Sequence, residues 1–351
     1  MRTYRCSCDN MLFFDNSRCL VCGKDVGYCP ACQSITALEP QGDGAYRCGN
    51  ARCGSRLVKC TNYETYDVCN RCITIDAAAE PASRLCDCCS FTQTIPDLSV
   101  PGNVVKWYRL EAAKRRLLYD LDLVGLPYHF ASDDPRPQLR FDFKADVPPK
   151  TWMGWTISQE ERVFTGHASG LITINIREAD DAEREQARVN LGEAHRTLIG
   201  HFRHEIAHYY FEVLVRGRDE DRCKTMFGDH ENPTYQDALT AYYQNGPLPN
   251  WRERFVSAYA TMHPWEDFAE TFATYLDMAS VLDCARNNGF IPRLTQLNDV
   301  DAMMLQYKAL GVGMNEINRS MGLLDLVPEV LVEPVRAKMR YIHELVANAA
   351  S

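Results

Sequence analysis

Apolar side chains recur at helical spacing around a histidine-rich segment in the middle of the chain. Between Leu198 and Val215 the apolar positions fall on one face of a helix, and Gly217 follows them as a stop signal. This pattern predicts a long helix over about residues 194–216. The remaining sequence predicts further helices at residues 104–124, 178–189, 236–243, 251–260, 305–317 and 332–349.

Strand signals are fewer than helix signals. The run Leu171–Ile176 alternates and is rich in β-branched residues, which is typical of a strand, and the apolar run Leu139–Phe143 indicates another. The surrounding residues 126–160 are rich in proline and predict irregular structure or short strands. Many helices with few strands place the chain in the α+β class, with a mainly helical domain and a small sheet.

The central predicted helix carries the segment His204-Glu205-Ile206-Ala207-His208. Two histidines four residues apart lie on one helix face, about one turn apart, so both imidazoles can reach one Zn²⁺. Glu205 follows the first histidine and can take a proton from a metal-bound water. Because roughly one sequence in a hundred with nine histidines would show this pattern by chance, a zinc site requires a third ligand from another segment.

A second predicted helix supplies acidic side chains for that ligand. Pro264 suits a first helical position, and the apolar positions after it continue at helical spacing towards Gly289. Glu266 and Glu270 share a face set among apolar and small residues, where a polar group needs a partner. One carboxylate completes a His₂Glu set with an open position for water, and the other accepts the remaining N–H of a ligand histidine. We predict Glu266 as the ligand and Glu270 as the acceptor, and the reverse assignment stays open.

Two further side chains are candidates for stabilising negative charge at this site. Tyr259 precedes Glu266 by seven residues, and a phenol near the metal can donate to the oxyanion of a tetrahedral intermediate. His263 is a second candidate for the same donation. Ordinary packing is the alternative for both residues.

Cysteines are concentrated at the start of the chain, since 14 of the 16 lie in residues 6–89. Without a secretory signal, such a segment is expected to bind metal rather than form disulfides, and short-spaced thiolate pairs suit tetrahedral zinc. Three sets of ligands are predicted: Cys6, Cys8, Cys19 and Cys22; Cys29, Cys32, Cys48 and Cys53; and Cys69, Cys72, Cys86 and Cys89. Cys60 and Cys88 are left over, and a crossed set of Cys48, Cys60, Cys86 and Cys89 is an alternative.

The change in cysteine content predicts the domain boundaries. We expect a Cys-rich zinc-ribbon domain at residues 1–90, a proline- and glycine-containing linker at 91–103, and a second domain at 104–351. The charge of the predicted ribbon argues against a nucleic-acid partner. Residues 1–100 hold ten Lys/Arg and eleven Asp/Glu, before the negative charge of any thiolate is counted. A structural or protein-docking role is expected instead. The basic triplet Lys114-Arg115-Arg116 is expected to be a solvated helix face.

The whole chain is acidic, with a formal net charge of −9. This charge argues against general binding to nucleic acid or to an anionic membrane. No run of about 20 apolar residues predicts a membrane span, and the first residues show no apolar signal-peptide core. We therefore expect a soluble, cytoplasmic protein with no membrane partner.

Several segments together resemble one known family. They are the Cys-rich start, IPDLS (95–99), LEAAKRR (110–116), TGHASGLITINI (165–176), HFRHEIAHYYFE (201–212), HPWEDFAETFA (263–273) and NRSMGLLDL (318–326). They are similar to the putative zinc-binding metallopeptidase family that carries an N-terminal zinc-ribbon domain. The resemblance implies a zincin-like metallopeptidase domain C-terminal to the zinc ribbon. It covers nearly the whole chain and brings no substrate.

The second motif is also similar to that of gluzincins of the anthrax lethal factor type. In those proteins the first glutamate binds zinc and a tyrosine assists the oxyanion. The resemblance implies that Glu266 is the ligand, Glu270 its supporting acceptor and Tyr259 the oxyanion donor. It transfers less well to the cysteines, because the first pair is Cys6-x-Cys8 and additional cysteines occur at 53, 69 and 72.

The sequence thus predicts a zinc-dependent peptidase that hydrolyses peptide bonds in a peptide or protein substrate. Glu205 is the expected general base, with one catalytic zinc on His204, His208 and Glu266 and two to three structural zincs on the cysteines. The alternative is a non-catalytic zinc-ribbon adaptor that binds a protein, or less favourably a nucleic acid, on a vestigial peptidase fold. The intact Glu205 argues against loss of catalysis.

Overall fold

The computed structural model describes residues 1–75, 84–146, 151–152, 155–156, 162–184, 197–292, 299–325, 327–328 and 330–350. The chain divides into two compact units, and each unit is assembled from three separate stretches of the sequence. Unit 1 comprises Met1–Arg116, Arg140–Phe164 and Thr173–Asp180, and unit 2 comprises Leu117–Leu139, Thr165–Ile172 and Asp181–Ser351. The boundaries predicted at residues 90 and 103 stay predictions.

Unit 1 is built mainly from short antiparallel strands. The chain begins with a hairpin of β1 (Tyr4–Arg5) and β2 (Met11–Leu12). A five-stranded antiparallel sheet follows in sequential order, formed by β3 (Val26–Cys29), β4 (Ser34–Pro40), β5 (Tyr46–Cys48), β6 (Arg56–Lys59) and β7 (Cys72–Thr74). Its small core includes Leu12, Val26, Ile35 and Ala37 beside the buried thiols of Cys6 and Cys19. With so few apolar side chains, this region depends on its cysteines for stability.

The remaining elements of unit 1 connect its cysteine-bearing loops to a long helix. The single-turn helix α1 (Thr61–Glu64) lies between β6 and β7, and a 3₁₀ turn at Cys89–Phe91 leads into β8 (Thr92–Thr94). Strand β8 pairs in parallel with β9 (Arg140–Lys144), so part of the predicted linker is a strand. Strands β10 (Thr151–Trp152) and β11 (Trp155–Thr156) form a separate antiparallel pair.

Helix α2 (Asn103–Val124) begins in unit 1, and its basic triplet is not the solvated face that its charge predicted. Lys114 is 0% exposed and Arg115 is 1% exposed. The Lys114 ammonium lies 2.8 Å from the buried carboxylate of Glu111, and Arg115 donates to the carbonyl oxygen of Val68 at 2.8 Å. Both cations can be buried because each of them finds an acceptor. Arg116 is half-buried, and its guanidinium pairs with the Asp15 carboxylate.

Unit 2 is mainly helical. Strand β12 (Gly166–Ala168) lies in it, and β13 (Leu171–Asn175) crosses the division between the units. Its helices are α3 (Leu198–Tyr210), α4 (Glu220–Phe227), α5 (Tyr235–Asn245), α6 (Pro264–Asn287), α7 (Val300–Ser320) and α8 (Glu333–Ala349).

Helix α3 and the turn after it lie within the segment that the sequence predicted as a helix over residues 194–216. The helix begins after Thr197, whose hydroxyl accepts the Gly200 N–H at 3.0 Å, and residues 194–196 lie outside the described residues. After Tyr210 the helix widens into a π-helical turn at Phe211–Val215. Such turns occur often at functional sites.

Helices α3 and α6 pack against each other through aromatic rings and a buried ion cluster. The rings of Tyr210 and Phe272 stack with centroids 5.5 Å apart. Arg203 donates to Asp120 at 2.8 and 3.0 Å and to Asp277 on α6 at 2.6 Å. Because Arg203 immediately precedes the first histidine of the HExxH segment, this cluster holds that part of α3 in place.

Three segments differ from their predicted structure. Residues 251–260 form 3₁₀ turns at Trp251–Glu253 and Tyr259–Thr261 rather than one helix, because the Ser257 hydroxyl accepts the Ala260 N–H and competes with helical bonding. Helix α4 lies in a segment for which the sequence predicted no helix, and it ends at Gly228, whose φ is 106°. The segment predicted as a helix over 178–189 has a 3₁₀ turn at Ile176–Ala179 and one helical turn at 181–184, and the rest lies outside the described residues.

The predicted α+β class, with a Cys-rich start and a mainly helical remainder, is confirmed. Among the helices that the structure describes, none has the length and apolar content needed to cross a bilayer.

Candidate metal centre

Three side chains of unit 2 converge where α3 meets the start of α6. His204 and His208 come from α3, and Glu266 comes from the first turn of α6. The two imidazole Nε2 atoms are 3.1 Å apart. Glu266 Oε2 lies 2.9 Å from His204 Nε2, and Glu266 Oε1 lies 3.5 Å from His208 Nε2. The three predicted ligands are therefore brought together.

Their spacing fits a tetrahedral zinc ion. Bonds of about 2.0–2.1 Å at tetrahedral angles separate two ligand atoms by about 3.3 Å, and the measured separations of 2.9, 3.1 and 3.5 Å bracket that value. Glu266 Oε2 is buried without a hydrogen-bond partner among the described residues. A buried carboxylate oxygen facing two imidazole nitrogens requires a positive charge between them.

The start of α6 explains how Glu266 reaches this position. His263 caps the helix, its Nδ1 accepting the Trp265 N–H at 3.1 Å, and Pro264 occupies the first turn. Glu266 is only 1% exposed, and it lies at the positive end of the helix dipole. Burial raises the pKa of Glu266, but the charges of His208 and His204 outweigh it and lower the pKa overall.

Glu270 contacts the other side of the first histidine. Its Oε1 lies 2.7 Å from His204 Nδ1, so His204 is held between two carboxylates. This contact directs His204 Nε2 towards Glu266, which matches Glu266 as the ligand and Glu270 as the acceptor. Burial lowers the pKa of His204, but Glu266 and Glu270 raise it well above its usual range. A metal cation would neutralise the same negative potential.

The predicted general base is close to these ligands in sequence and is buried. Glu205 is 8% exposed, and its Oε2 has no hydrogen-bond partner among the described residues. A buried carboxylate oxygen without a donor is available to accept a proton.

The two candidates for oxyanion stabilisation differ. The ring of Tyr259 lies 6.0 Å from the ring of His204, centroid to centroid. His263 is occupied elsewhere, because its Nδ1 caps α6 and its Nε2 lies 3.3 Å from the carbonyl oxygen of Pro233. His263 therefore caps α6 and is not an oxyanion donor, which corrects the prediction. Tyr259 remains the candidate for that role.

Two aromatic residues at the site were not predicted. The hydroxyl of Tyr235, at the start of α5, donates to Glu266 Oε1 at 3.0 Å. The indole of Trp265 lies against the ring of His208, with centroids 3.8 Å apart and planes inclined by 35°. The position of Trp265 beside Glu266 gave a signal in the sequence, whereas nothing local marked Tyr235.

Unit 1 brings twelve of its fourteen cysteines into three groups of four. Cys6, Cys8, Cys19 and Cys22 form the first group, and Cys29, Cys32, Cys48 and Cys53 form the second, as the sequence predicted. Zinc–sulfur bonds of about 2.3 Å at tetrahedral angles separate two sulfurs by about 3.8 Å. The closest Sγ pairs in the two groups are 3.7 and 3.8 Å apart. This spacing fits zinc and is far longer than a disulfide bond of about 2.05 Å.

The third group corrects the predicted set. Cys60, Cys69, Cys86 and Cys89 come together, with the Sγ atoms of Cys69 and Cys86 3.7 Å apart. Cys60 follows β6 at the start of α1, and its Sγ accepts the Cys86 N–H at 3.4 Å. Cys72 lies on β7 and points to β3, where a side chain at Gly27 would approach its Sγ to 3.0 Å. The crossed set is also wrong, because Cys48 belongs to the second group.

Comparison with known proteins adds two family matches. The family model described as putative zinc-binding metallo-peptidase matches residues 103–345, and a zinc-ribbon domain model matches residues 3–100. Proteins of Mycobacterium tuberculosis and Mycobacterium bovis are 34% identical over 100% of this chain and 96% of their own length, and both are described as uncharacterized. No solved structure matches the chain. The family matches and the cysteine groups together support zinc binding.

Proposed function

This chain belongs to the putative zinc-binding metallo-peptidase family, and we propose on that premise that it is a zinc-dependent peptidase of the gluzincin type. The observation that carries the proposal is the spacing of His204 Nε2, His208 Nε2 and the Glu266 carboxylate. Three ligands and one open position are typical of a catalytic rather than a structural zinc.

Zinc at this position would polarise a peptide carbonyl and lower the pKa of a bound water to about 7. Glu205 removes the proton of the attacking water and delivers it to the leaving amine nitrogen. Glu270 accepts the Nδ1–H of His204 and keeps its Nε2 directed at the metal.

Tyr259 is proposed to donate to the oxyanion that forms at the substrate carbonyl. Burial and the nearby Glu266 raise the pKa of Tyr259 well above its ordinary value. Its phenol therefore keeps the proton that a hydrogen-bond donor needs.

The three cysteine groups are proposed to hold one structural zinc each, which makes four zinc ions per chain with the catalytic one. The described cysteines are free thiols. Because a reducing compartment keeps thiols free for zinc, we place the protein in the cytoplasm. A peptide or protein is the proposed substrate.

A non-catalytic adaptor is the second candidate, favoured by one observation. Leu20 and Val21, in the loop between two cysteines of the first group, are 90% and 71% exposed. Exposed apolar side chains on a rigid loop suit a protein partner. Glu205 distinguishes the two proposals, because only a peptidase requires a general base.

The test is hydrolysis of a peptide library by the zinc-loaded chain, followed by mass spectrometry. Glu205→Gln is expected to keep its zinc, measured by elemental analysis, and to lose at least about 10²–10⁴-fold in rate, the range for a general base. Glu212→Gln is the matched control, because Glu212 lies on the turn after α3 and pairs with Arg216 at 2.6 Å. Equal cleavage by Glu205→Gln and the parent contradicts the mechanism, and no cleavage by the parent favours the adaptor.

A further inference from the structure

Tyr235 contacts Glu266, the proposed metal ligand on α6. Its hydroxyl donates to Glu266 Oε1 at 3.0 Å. Its ring meets the ring of His263 edge-on at 5.4 Å and the ring of Trp265 at 5.6 Å. Thr234 caps α5 directly before it and accepts the Asp237 N–H at 3.2 Å. The phenol is thus held in place by its own helix and by the first turn of α6.

This contact makes the two oxygens of Glu266 unequal. Oε1 accepts the hydrogen bond from Tyr235, whereas Oε2 is buried, has no hydrogen-bond partner among the described residues, and lies 2.9 Å from His204 Nε2. A carboxylate oxygen that already accepts a hydrogen bond has one lone pair fewer to offer a metal than the other oxygen. Oε2 is therefore the oxygen available to the metal.

We propose that Tyr235 is a positioning residue that reserves Glu266 Oε2 for zinc and so keeps the metal's fourth position open for water. The inference rests on the proposed function, since it requires zinc on His204, His208 and Glu266. Without the phenol, Oε1 is released and can bind the metal together with Oε2. A bidentate carboxylate then occupies the position that the attacking water needs.

The test compares Tyr235→Phe with Tyr243→Phe, a control on the same helix whose side chain is 64% exposed. The full chain is titrated with zinc against a chromogenic chelator. Tyr235→Phe is expected to bind zinc at this site about 10–100-fold more weakly, the usual effect of losing a group that orients a metal ligand. Tyr243→Phe is expected to match the parent.

A second readout reports coordination directly. The site is loaded with Co²⁺, and the spectrum of His204→Ala is subtracted to remove the contribution of the cysteine groups. Tyr235→Phe is expected to show a visible spectrum that differs from that of the parent, because a bidentate carboxylate in place of a water distorts the tetrahedral geometry of the cobalt. Circular dichroism of the metal-free variants checks that they fold. If Tyr235→Phe does not fold, Tyr235→Met, which also lacks a donor, is measured in its place.

Comparison with two ligand variants distinguishes a wrong role for Tyr235 from a wrong metal centre. Unchanged zinc affinity and an unchanged cobalt spectrum in Tyr235→Phe overturn the positioning role. If His204→Ala and Glu266→Gln also retain all of the parent's zinc, the proposed metal centre fails as well. If those two variants lose zinc while Tyr235→Phe does not, only the role of Tyr235 is wrong.

Discussion

Replacing Cys60 with serine is expected to remove a zinc ion from the protein, whereas the same replacement at Cys72 is expected to remove none. Both thiols are buried, at 0% and 2% exposure, so burial alone does not distinguish them. The distinction comes from position. Cys60 lies with three other thiols and accepts the Cys86 N–H, whereas Cys72 faces the backbone at Gly27.

The expected magnitudes differ widely. Structural zinc contributes about 10–16 kcal/mol of apparent binding free energy in small zinc domains at neutral pH. The four thiols of this group are at most 2% exposed, so water cannot easily replace a lost ligand. Because a whole domain is stable by only about 5–15 kcal/mol, Cys60→Ser is expected to unfold the surrounding part of unit 1. Cys72→Ser buries one hydroxyl in place of a thiol, which costs about 1–3 kcal/mol.

The assay is zinc per chain by elemental analysis after gel filtration, together with thermal unfolding. The parent is expected to carry four zinc ions, Cys72→Ser four, and Cys60→Ser three or fewer with an earlier unfolding transition. Loss of zinc from Cys72→Ser, or full zinc in Cys60→Ser, would refute the assignment of the third group.

Three other predictions follow from buried contacts. Glu270→Ala removes the acceptor of His204 Nδ1 and is expected to weaken zinc binding at that site about 10–100-fold in a chelator competition; unchanged affinity contradicts its role. Lys114→Met leaves the Glu111 carboxylate buried without its cation and is expected to cost about 3–5 kcal/mol in urea unfolding. Adding Glu111→Leu to Lys114→Met is expected to recover most of that lost stability. A Lys114→Met protein as stable as the parent would contradict this prediction. Burial lowers the pKa of His167 to about 4 from 6.5. The unfolded chain therefore binds more protons between these values, and the stability from this neutral imidazole is complete above pH 6.5 and lost as pH falls to 4. His167→Phe is expected to lose less stability than the parent as the pH falls from 6.5 to 4. Identical pH profiles of urea unfolding for the variant and the parent would contradict this prediction.

The metal-binding residues could be predicted because their geometry is local. Residues four apart on a helix share a face, so His204 and His208 required only that their segment be helical. The same rule placed Glu266 and Glu270 together on α6. Which of the two acids faces the metal depends on how α3 and α6 pack. Spacing alone left that choice open, and the contact of Glu270 with His204 Nδ1 shows the packing.

Other features depend on contacts between segments that are distant in the chain. Cys60 has no cysteine close to it in sequence, and it joins the third group only because β6 and the loop before β8 meet. Lys114 and Arg115 follow a helical pattern, but periodicity does not show that Glu111 and the Val68 carbonyl give them buried partners. Tyr235 reaches Glu266 from 31 residues upstream, across α5 and two 3₁₀ turns, and helical spacing does not show a contact between such distant positions.

Anomalous diffraction at the zinc absorption edge, on crystals of the full chain, can locate the proposed catalytic metal. We expect a zinc peak between α3 and α6, about 2.0–2.2 Å from His204 Nε2, His208 Nε2 and one oxygen of Glu266, with Glu270 bonded to His204 rather than to the metal. A zinc-loaded crystal with no peak there, or with Glu270 as the ligand in place of Glu266, would contradict this expectation.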